Sequence, residues 1–314
     1  MYSLRYALPC LLATAILFQS KPTLAVAESP HDPGLLFYLS GDHSFQADYA
    51  ANGKPTPNFQ SDVTIVPGGV KGAYMRSGDD QLLSYWAPGN VYAQRGTLAF
   101  DWRAREPVGP TEFPLFRVGY GDHSSWDMVW LRIDYNGHGF DAFVTDVNLG
   151  RTRISYTMPD FPKADQWTHL ALSWDERTGI RFYVNGKMVA EKAPTGMFDA
   201  ALDQFGPNSR IIGPTGVESS YNYDRGGDMD ELRIYDRALS DENVAQIAKG
   251  ETPQSIPPLP GAAQPADLEK EWMFHYGWNR PGDIPAPLPS PAAVVRKVEI
   301  HDVYDLNRWW WKGT

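Results

Sequence analysis

The sequence predicts an all-β domain, a two-sheet antiparallel jelly-roll sandwich, followed by a short C-terminal extension. Three observations carry that expectation. Short runs of alternating apolar and polar residues recur up to Gly250, turn residues separate them, and the 28 glycines and 26 prolines are scattered rather than periodic. Alternation with period two turns one face of a strand into a core. Dense glycine and proline punctuation suits many turns and leaves little room for long helices. With 42% of the chain hydrophobic and 13% aromatic, there is enough apolar material for one large core.

The elements follow in order. Residues 1–27 read as a secretory signal peptide: Arg5 gives a positive start, Ala7 to Phe18 a short apolar core, and Ala25-Val26-Ala27 a cleavage site. That core is too short to span a bilayer. The expected location is therefore secreted, periplasmic or at the cell surface, with no membrane insertion once the signal is removed. Cys10, the single cysteine, lies inside the signal. The processed chain would have no disulfide, no cysteine nucleophile and no thiolate metal site. The net charge of -10 comes without any block of Lys or Arg. Nucleic acid and anionic membranes are poor partners for such a chain, since binding phosphates requires clustered cations.

Residues 28–250 form the predicted domain. Leu35 to Leu39 is a short apolar run. Gly96 to Arg103 alternates with Leu98, Phe100 and Trp102 in phase, and Met128 to Asp134 with Val129, Leu131 and Ile133 in phase. Phe140 to Thr145 is a further candidate. Trp167 to Trp174 turns through Asp175 to Gly179 and returns as Gly179 to Val184. Asn185-Gly186 then makes a tight turn into Lys187 to Ala190, a pair that suits type I′ because both positions tolerate positive φ. Arg210 to Gly213 and Asp230 to Tyr235 complete the series. Ser240 is placed to cap a short helix with Val244, Ile247 and Ala248 on its apolar side. Residues 251–267 read as a proline-rich linker. Residues 268–314, ending in Trp309-Trp310-Trp311, read as a C-terminal segment that either docks on the sandwich or opens a second domain, the second being favoured because an isolated strand cannot bury itself.

Three motifs are specific enough to suggest a family. They are Gly96-Thr97-Leu98 running into Trp102, then Trp167-Thr168-His169-Leu170 through Trp174-Asp175 to Asn185-Gly186, and finally Gly227-Asp228-Met229-Asp230-Glu231-Leu232-Arg233-Ile234-Tyr235-Asp236-Arg237-Ala238-Leu239-Ser240. On these, residues 32–250 resemble the laminin G-like jelly-roll family of bacterial extracellular proteins, of the concanavalin A-like lectin/glucanase superfamily. The resemblance implies the fold more than the function, since that fold hosts lectins, adhesion modules, hydrolases and accessory domains. It also implies calcium at the sandwich edge. Asp230 is the implied ligand, joined by Asp48, where Asp48-Tyr49-Ala50 before Gly53 looks like the family's early aspartate turn. Asp42 and Asp228 are further candidates, because calcium takes several hard oxygens from distant strands. The alternative is that Asp230 ends a strand and accepts bonds from nearby amides.

Sugar binding requires aromatic faces beside hydroxyl, amide or carboxylate groups. Two loops carry that mixture: Tyr120 to Asp127, with Tyr120, Asp122 and Trp126, and Tyr221 to Arg225, with Tyr221, Asn222 and Tyr223. The competing reading is that Trp126 and Tyr221 simply cover the end of the sandwich. Catalysis is expected to be absent. The laminarinase-type pattern Glu-x-Asp-x-x-Glu has its nearest match in Asp228 to Arg233, which begins with Asp and ends with Arg233 in place of the last carboxylate. No Gly-x-Ser-x-Gly elbow, His-Glu-x-x-His pair or phosphate-binding glycine loop occurs. The expected function is a non-catalytic, calcium-assisted module that binds a carbohydrate or glycoconjugate outside the cytoplasm. The second reading is a structural, adhesion or accessory domain with a protein partner. The third is a glycoside hydrolase acting through Asp228 and Asp230.

Overall fold

The computed structural model describes residues 32–104, 108, 110, 112–120, 129–207, 212–213, 216–217 and 227–262, with the backbone alone for 77–82, 120, 212–213 and 216–217. In chain order the strands are β1 (Leu35–Leu39), β2 (Tyr49–Ala50), β3 (Phe59–Pro67), β4 (Ala73–Trp86), β5 (Arg95–Arg103), β6 (Phe113–Tyr120), β7 (Val129–Tyr135) and β8 (Gly139–Thr145). They continue as β9 (Arg151–Thr157), β10 (Trp167–Asp175), β11 (Gly179–Val184), β12 (Lys187–Lys192), β13 (Leu202–Pro207), β14 (Ile212–Gly213), β15 (Gly216–Val217) and β16 (Asp228–Tyr235), before the helix α1 (Asp241–Ala248). The expected jelly-roll sandwich is what forms.

The first sheet runs β12-β11-β10-β5-β16, and the second runs β13-β6-β7-β8-β9. The long strand β4 joins them: Met75 and Arg76 pair with β16, whereas Tyr85 and Trp86 pair with β13. The sheets share an aromatic core. Trp102 of the first sheet meets Phe113, Tyr135 and Phe140 of the second, and Trp130 meets Trp174 edge-on at 5.6 Å. All six of these rings are 5% exposed or less, and each large aromatic buried this way stabilises the sandwich by a few kcal/mol, about 1.5–3.

The local predictions hold where the chemistry is local. Asn185 and Gly186 take φ of 51° and 72°, and Val184 pairs with Lys187 across them, as a type I′ turn requires. The Ser240 hydroxyl accepts the Asn243 amide at 3.3 Å and starts α1. One phase differs. Leu131 and Ile133 enter the core as expected, but Trp130 enters with them and Val129 packs outside against Phe143. The pairing of β6 with β7 slips between Val118 and Gly119, and such a slip exchanges the faces of the residues beyond it.

Helix α1 lies on the outer face of the first sheet, where Val244 and Ile247 pack with Ala171, Tyr183 and Tyr235. The start of the proline-rich stretch also docks rather than hanging free. Ile256, Leu259 and Ala262 are buried, and the Ile256 and Ser255 carbonyls accept from Arg237 Nη1 (3.1 Å) and Asn243 Nδ2 (2.9 Å). Prolines deprive this segment of ladder donors, so side chains hold its carbonyls instead. Among the described residues no helix is long and apolar enough to cross a membrane. The C-terminal segment 268–314 lies outside the described residues.

Candidate functional site

The four aspartates suggested for calcium are all engaged by donors. Asp230 is fully buried; its Oδ2 accepts the amides of Val70 (2.6 Å) and Lys71 (3.2 Å), and its Oδ1 accepts its neighbour's amide, Glu231 N, at 2.8 Å. Asp42 accepts Ala73 N at 2.7 Å, so both residues fasten the turn between β3 and β4. Asp48 accepts Ser40 N at 2.7 Å. Asp228, also fully buried, accepts Arg76 Nε at 3.1 Å and Arg103 Nη2 at 2.7 Å. Calcium requires oxygen lone pairs turned toward one point, whereas N–H groups converge on these carboxylates. Among the described residues no group of three or more His, Cys, Asp or Glu is placed to hold a metal. This donor set does not fit a calcium ion. The unfolding midpoint in calorimetry is accordingly expected to be the same in calcium and in chelator, and a rise of several degrees in calcium would show ligands outside this set.

The same contacts bear on hydrolysis. Asp228 lies between two guanidiniums and Asp230 is saturated with amides, so neither is disposed to attack a sugar or to shuttle a proton. Burial pushes the Asp230 carboxyl up to about 7, against the bonds from Lys71 and Val70.

Of the expected sugar-binding residues, Tyr120 ends β6, where its backbone pairs with Leu202. Asp122, Trp126, Tyr221, Asn222 and Tyr223 lie outside the described residues. The residues that flank the two loops do not share an end of the sandwich. Trp130, just past the first loop, packs on Trp174, which pairs with Gly96 at the start of β5. Asp228, just past the second, pairs with Arg103 at the end of β5. Seven residues of strand separate these ends, roughly 24 Å at about 3.4 Å each.

What the described strands do assemble is the outer face of the second sheet. The single helix among the described residues packs on the other sheet. The register shows the row. Phe59 lies opposite Ser84, Trp86 opposite Gln204, Gly206 opposite Arg117, Arg117 opposite Arg132, Arg132 opposite Phe143, and Phe143 opposite Arg153. Cross-strand partners share a face, so these residues line one face of the sheet from β3 to β9, exposed at Trp86 and Arg153 and buried between them at Gln204, Arg117 and Phe143. From β4 to β9 there are five strand intervals, roughly 24 Å at about 4.8 Å each.

The two ends of this face differ. At the β3 end, Trp86 is 40% and Phe59 36% exposed. Beside them the Ser84 hydroxyl lies 3.0 Å from both Asn58 Oδ1 and Gln204 Oε1, and Asn58 Nδ2 donates to Gln204 Oε1 at 3.1 Å. An exposed indole is the kind of group that stacks on a sugar ring; the Ser84 and Gln204 side chains beneath it are buried and brace one another. The far end is charged: Arg132 Nε bonds Asp134 Oδ2 at 2.7 Å, and Asn136 Nδ2 bonds Asp141 Oδ1 at 2.7 Å. Burial raises the Asp134 carboxyl pKa despite the opposing Arg132.

None of these residues was singled out from the sequence. The alternation in Arg151 to Thr157, which leaves Arg151, Arg153 and Ser155 on one exposed face, was an available signal. Trp86 offered none, because it ends a strand whose polar middle hides any period.

Comparison with known proteins places the architecture. The family described as the concanavalin A-like lectin/glucanases superfamily matches residues 90–245. No curated protein sequence matches the chain. Among solved structures, the receptor-binding domain of botulinum neurotoxin type G is similar with TM-score 0.50 and 13% identity, over 69% of this chain and 51% of that one. The binding domain of Paraclostridial Mosquitocidal Protein 1 is similar with TM-score 0.51 and 16% identity, over 69% of this chain and 52% of that one. The ligand-binding domain of botulinum neurotoxin serotype D, solved in complex with N-acetylneuraminic acid, gives 0.51 and 9%, over 69% and 51%. The chain thus spans about half the length of the structures it matches. At these identities the likeness is one of fold alone.

Proposed function

Through residues 90–245 this chain belongs to the concanavalin A-like lectin/glucanase superfamily, and from that premise we propose that it is a non-catalytic carbohydrate-binding module. It holds a glycan at the exposed end of its second sheet, where Trp86 and Phe59 stand. It works outside the cytoplasm, a reading supported by the signal-like residues 1–27. One observation carries the proposal: Trp86 stands 40% exposed beside the Asn58, Ser84 and Gln204 set. A large aromatic is normally mostly buried, and this one sits next to polar groups already oriented by one another. Lectin-like and receptor-binding relatives of the fold support the same class of function without fixing the ligand.

A glycan array with the intact chain tests the reading. Saturable binding to at least one glycan family is expected. Trp86→Ala is expected to weaken it about tenfold, the worth of one aromatic contact of roughly 1.4 kcal/mol, while the unfolding midpoint stays put because the ring is not in the core. A blank array, or binding indifferent to Trp86→Ala, would shift the assignment to a structural or accessory domain.

A further inference from the structure

The proline-rich stretch after α1 packs as a ligand does rather than as a strand. Thr252 to Ala262 contains Pro253, Pro257, Pro258 and Pro260. A proline fixes its own φ at about −65°, and the residue before it is pushed to extended backbone. From Ile256 to Pro260 every residue falls under one of these constraints, which favours the polyproline II form with its three residues per turn. Burial follows that period. Pro253, Ile256, Leu259 and Ala262 are buried, and the residues between them are exposed. Among the described residues, no backbone amide from 252 to 261 donates to another backbone group, so the segment adds no strand to either sheet.

The surface that receives this buried edge has matching parts. Gly34 is a notch for Ile256: a Cβ there would lie 2.4 Å from Ile256 Cδ1. Ile256 thereby joins the apolar cluster of Leu35, Tyr235, Leu239 and Val244. Leu259 and Ala262 cluster with Ala238. Two side chains read consecutive carbonyls. Asp236 fixes the Arg237 guanidinium through Nε at 2.6 Å and Nη2 at 3.0 Å, and Arg237 Nη1 donates to Ile256 O at 3.1 Å. Asn243, 6% exposed, donates Nδ2 to Ser255 O at 2.9 Å. These groove residues are held by the sandwich itself. Asp236 N bonds Gly34 O at 2.9 Å, Thr97 Oγ1 donates to Arg237 O at 2.8 Å and accepts Leu239 N at 2.9 Å, and Ser240 caps α1. The groove therefore keeps its shape by bonds that do not involve the segment. A preformed polyproline segment loses little freedom on docking, and here the pockets come at its own period.

We propose that the corner formed by Gly34, Arg237, Ala238 and Asn243 is a recognition groove for proline-rich segments with an apolar residue at every third position, and that residues 253–262 are its resident ligand. The partner it fits is a segment of the same pattern on another chain. Tethering gives the resident segment a local concentration on the order of millimolar, so such a partner enters only when the resident is displaced.

Fluorescence anisotropy with a labelled peptide of residues 252–262 tests this on the intact chain. The double substitution Ile256→Asp, Leu259→Asp expels the resident segment. That variant is expected to unfold cooperatively and to bind the peptide saturably, at least about tenfold more tightly than the unsubstituted chain does. Adding Arg237→Gln and Asn243→Ala to it is expected to weaken the peptide about tenfold, through the lost carbonyl bonds. A peptide carrying Ile256→Ser and Leu259→Ser is expected not to bind. Absence of binding to the expelled variant, or equal binding to it and to the unsubstituted chain, overturns the groove. Binding indifferent to Arg237→Gln and Asn243→Ala overturns it as well, because the peptide then sits elsewhere. Loss of cooperative unfolding in the Ile256→Asp, Leu259→Asp variant also overturns it, since residues 253–262 would then be part of the fold and not a ligand of it.

Discussion

Asp228→Ala is expected to lower stability by about 3–5 kcal/mol, the cost of removing one partner from a buried ionic cluster. Asp228 has no exposure, and its carboxylate accepts from both Arg76 and Arg103. Arg103 cannot turn to water in compensation. It is 12% exposed and clamped between Tyr74 and Trp167, its guanidinium carbon 4.5 Å from each ring. Removing the aspartate leaves that charge without its counterpart among described neighbours in a poorly solvated site. Arg76 is 39% exposed, so Arg76→Met should cost less than about 1 kcal/mol, the worth of an exposed pair. Urea unfolding of the two variants separates them by midpoint at constant slope. Equal and small shifts would mean that the cluster contributes nothing net, as some buried ion pairs do.

This cluster also marks the limit of what the sequence discloses. The stretch from Asp228 to Ser240 reveals a strand and a helix start because alternation and capping are properties of neighbours along the chain. That Asp228 and Asp230 share a face follows in the same way. What faces them does not. The arginines are 152 and 125 residues away, and the amides on Asp230 are 160 and 159 residues away. A carboxylate free to bind calcium and one already saturated by amides look identical in sequence. Only the convergence of β4 and β5 on β16 distinguishes them. Strand β4 itself was illegible for a related reason. It serves two sheets, and the run Arg76 to Gln81 between its paired ends has no apolar alternation to announce it.

The face that carries Trp86 is harder still, since its members come from β3, β4, β13, β6, β7, β8 and β9. Within each strand they are unremarkable. Gln204 is one amide among many, and Arg132 with Asp134 reads as a solvated strand face. Their meaning lies in register, which fixes that Trp86 meets Gln204 and that Arg132, Phe143 and Arg153 form a row. Register is set by pairing across the sheet, and a slip such as the one after Val118 changes it without altering composition.

A second large effect should appear as pH dependence. Asp101, His169 and Asp230 are neighbours across β10, β5 and β16, Asp101 pairing with both. Burial, helped by Glu231, pushes the Asp101 carboxyl up to about 7; burial, helped by Arg233, pushes the His169 ring down to about 4. For a carboxyl raised by folding, stability is full below the unfolded value near 3.8 and falls as pH rises toward 7. For a histidine lowered by folding, stability is full above the unfolded 6.5 and falls as pH drops toward 4. Between those limits the two groups oppose each other. Asp230, also about 7, sides with Asp101, so the protein should lose stability from pH 5 to pH 8. Asp101→Asn removes the buried charge and should stabilise the fold by about 1–3 kcal/mol at pH 8, with little change at pH 4, flattening the profile. Melting curves across that range decide the matter. If Asp101→Asn destabilised the protein at pH 8, the carboxylate would have to be ionised in the folded state and held there by a cation. Lys71 and Arg233, which already lower its pKa, would be the candidates, and His169, whose ring nitrogens have no hydrogen-bond partner among the described residues, would then be expected to titrate higher. The same melts on His169→Gln would show it, because that variant would lose the acid-side penalty only if the ring is neutral in the fold.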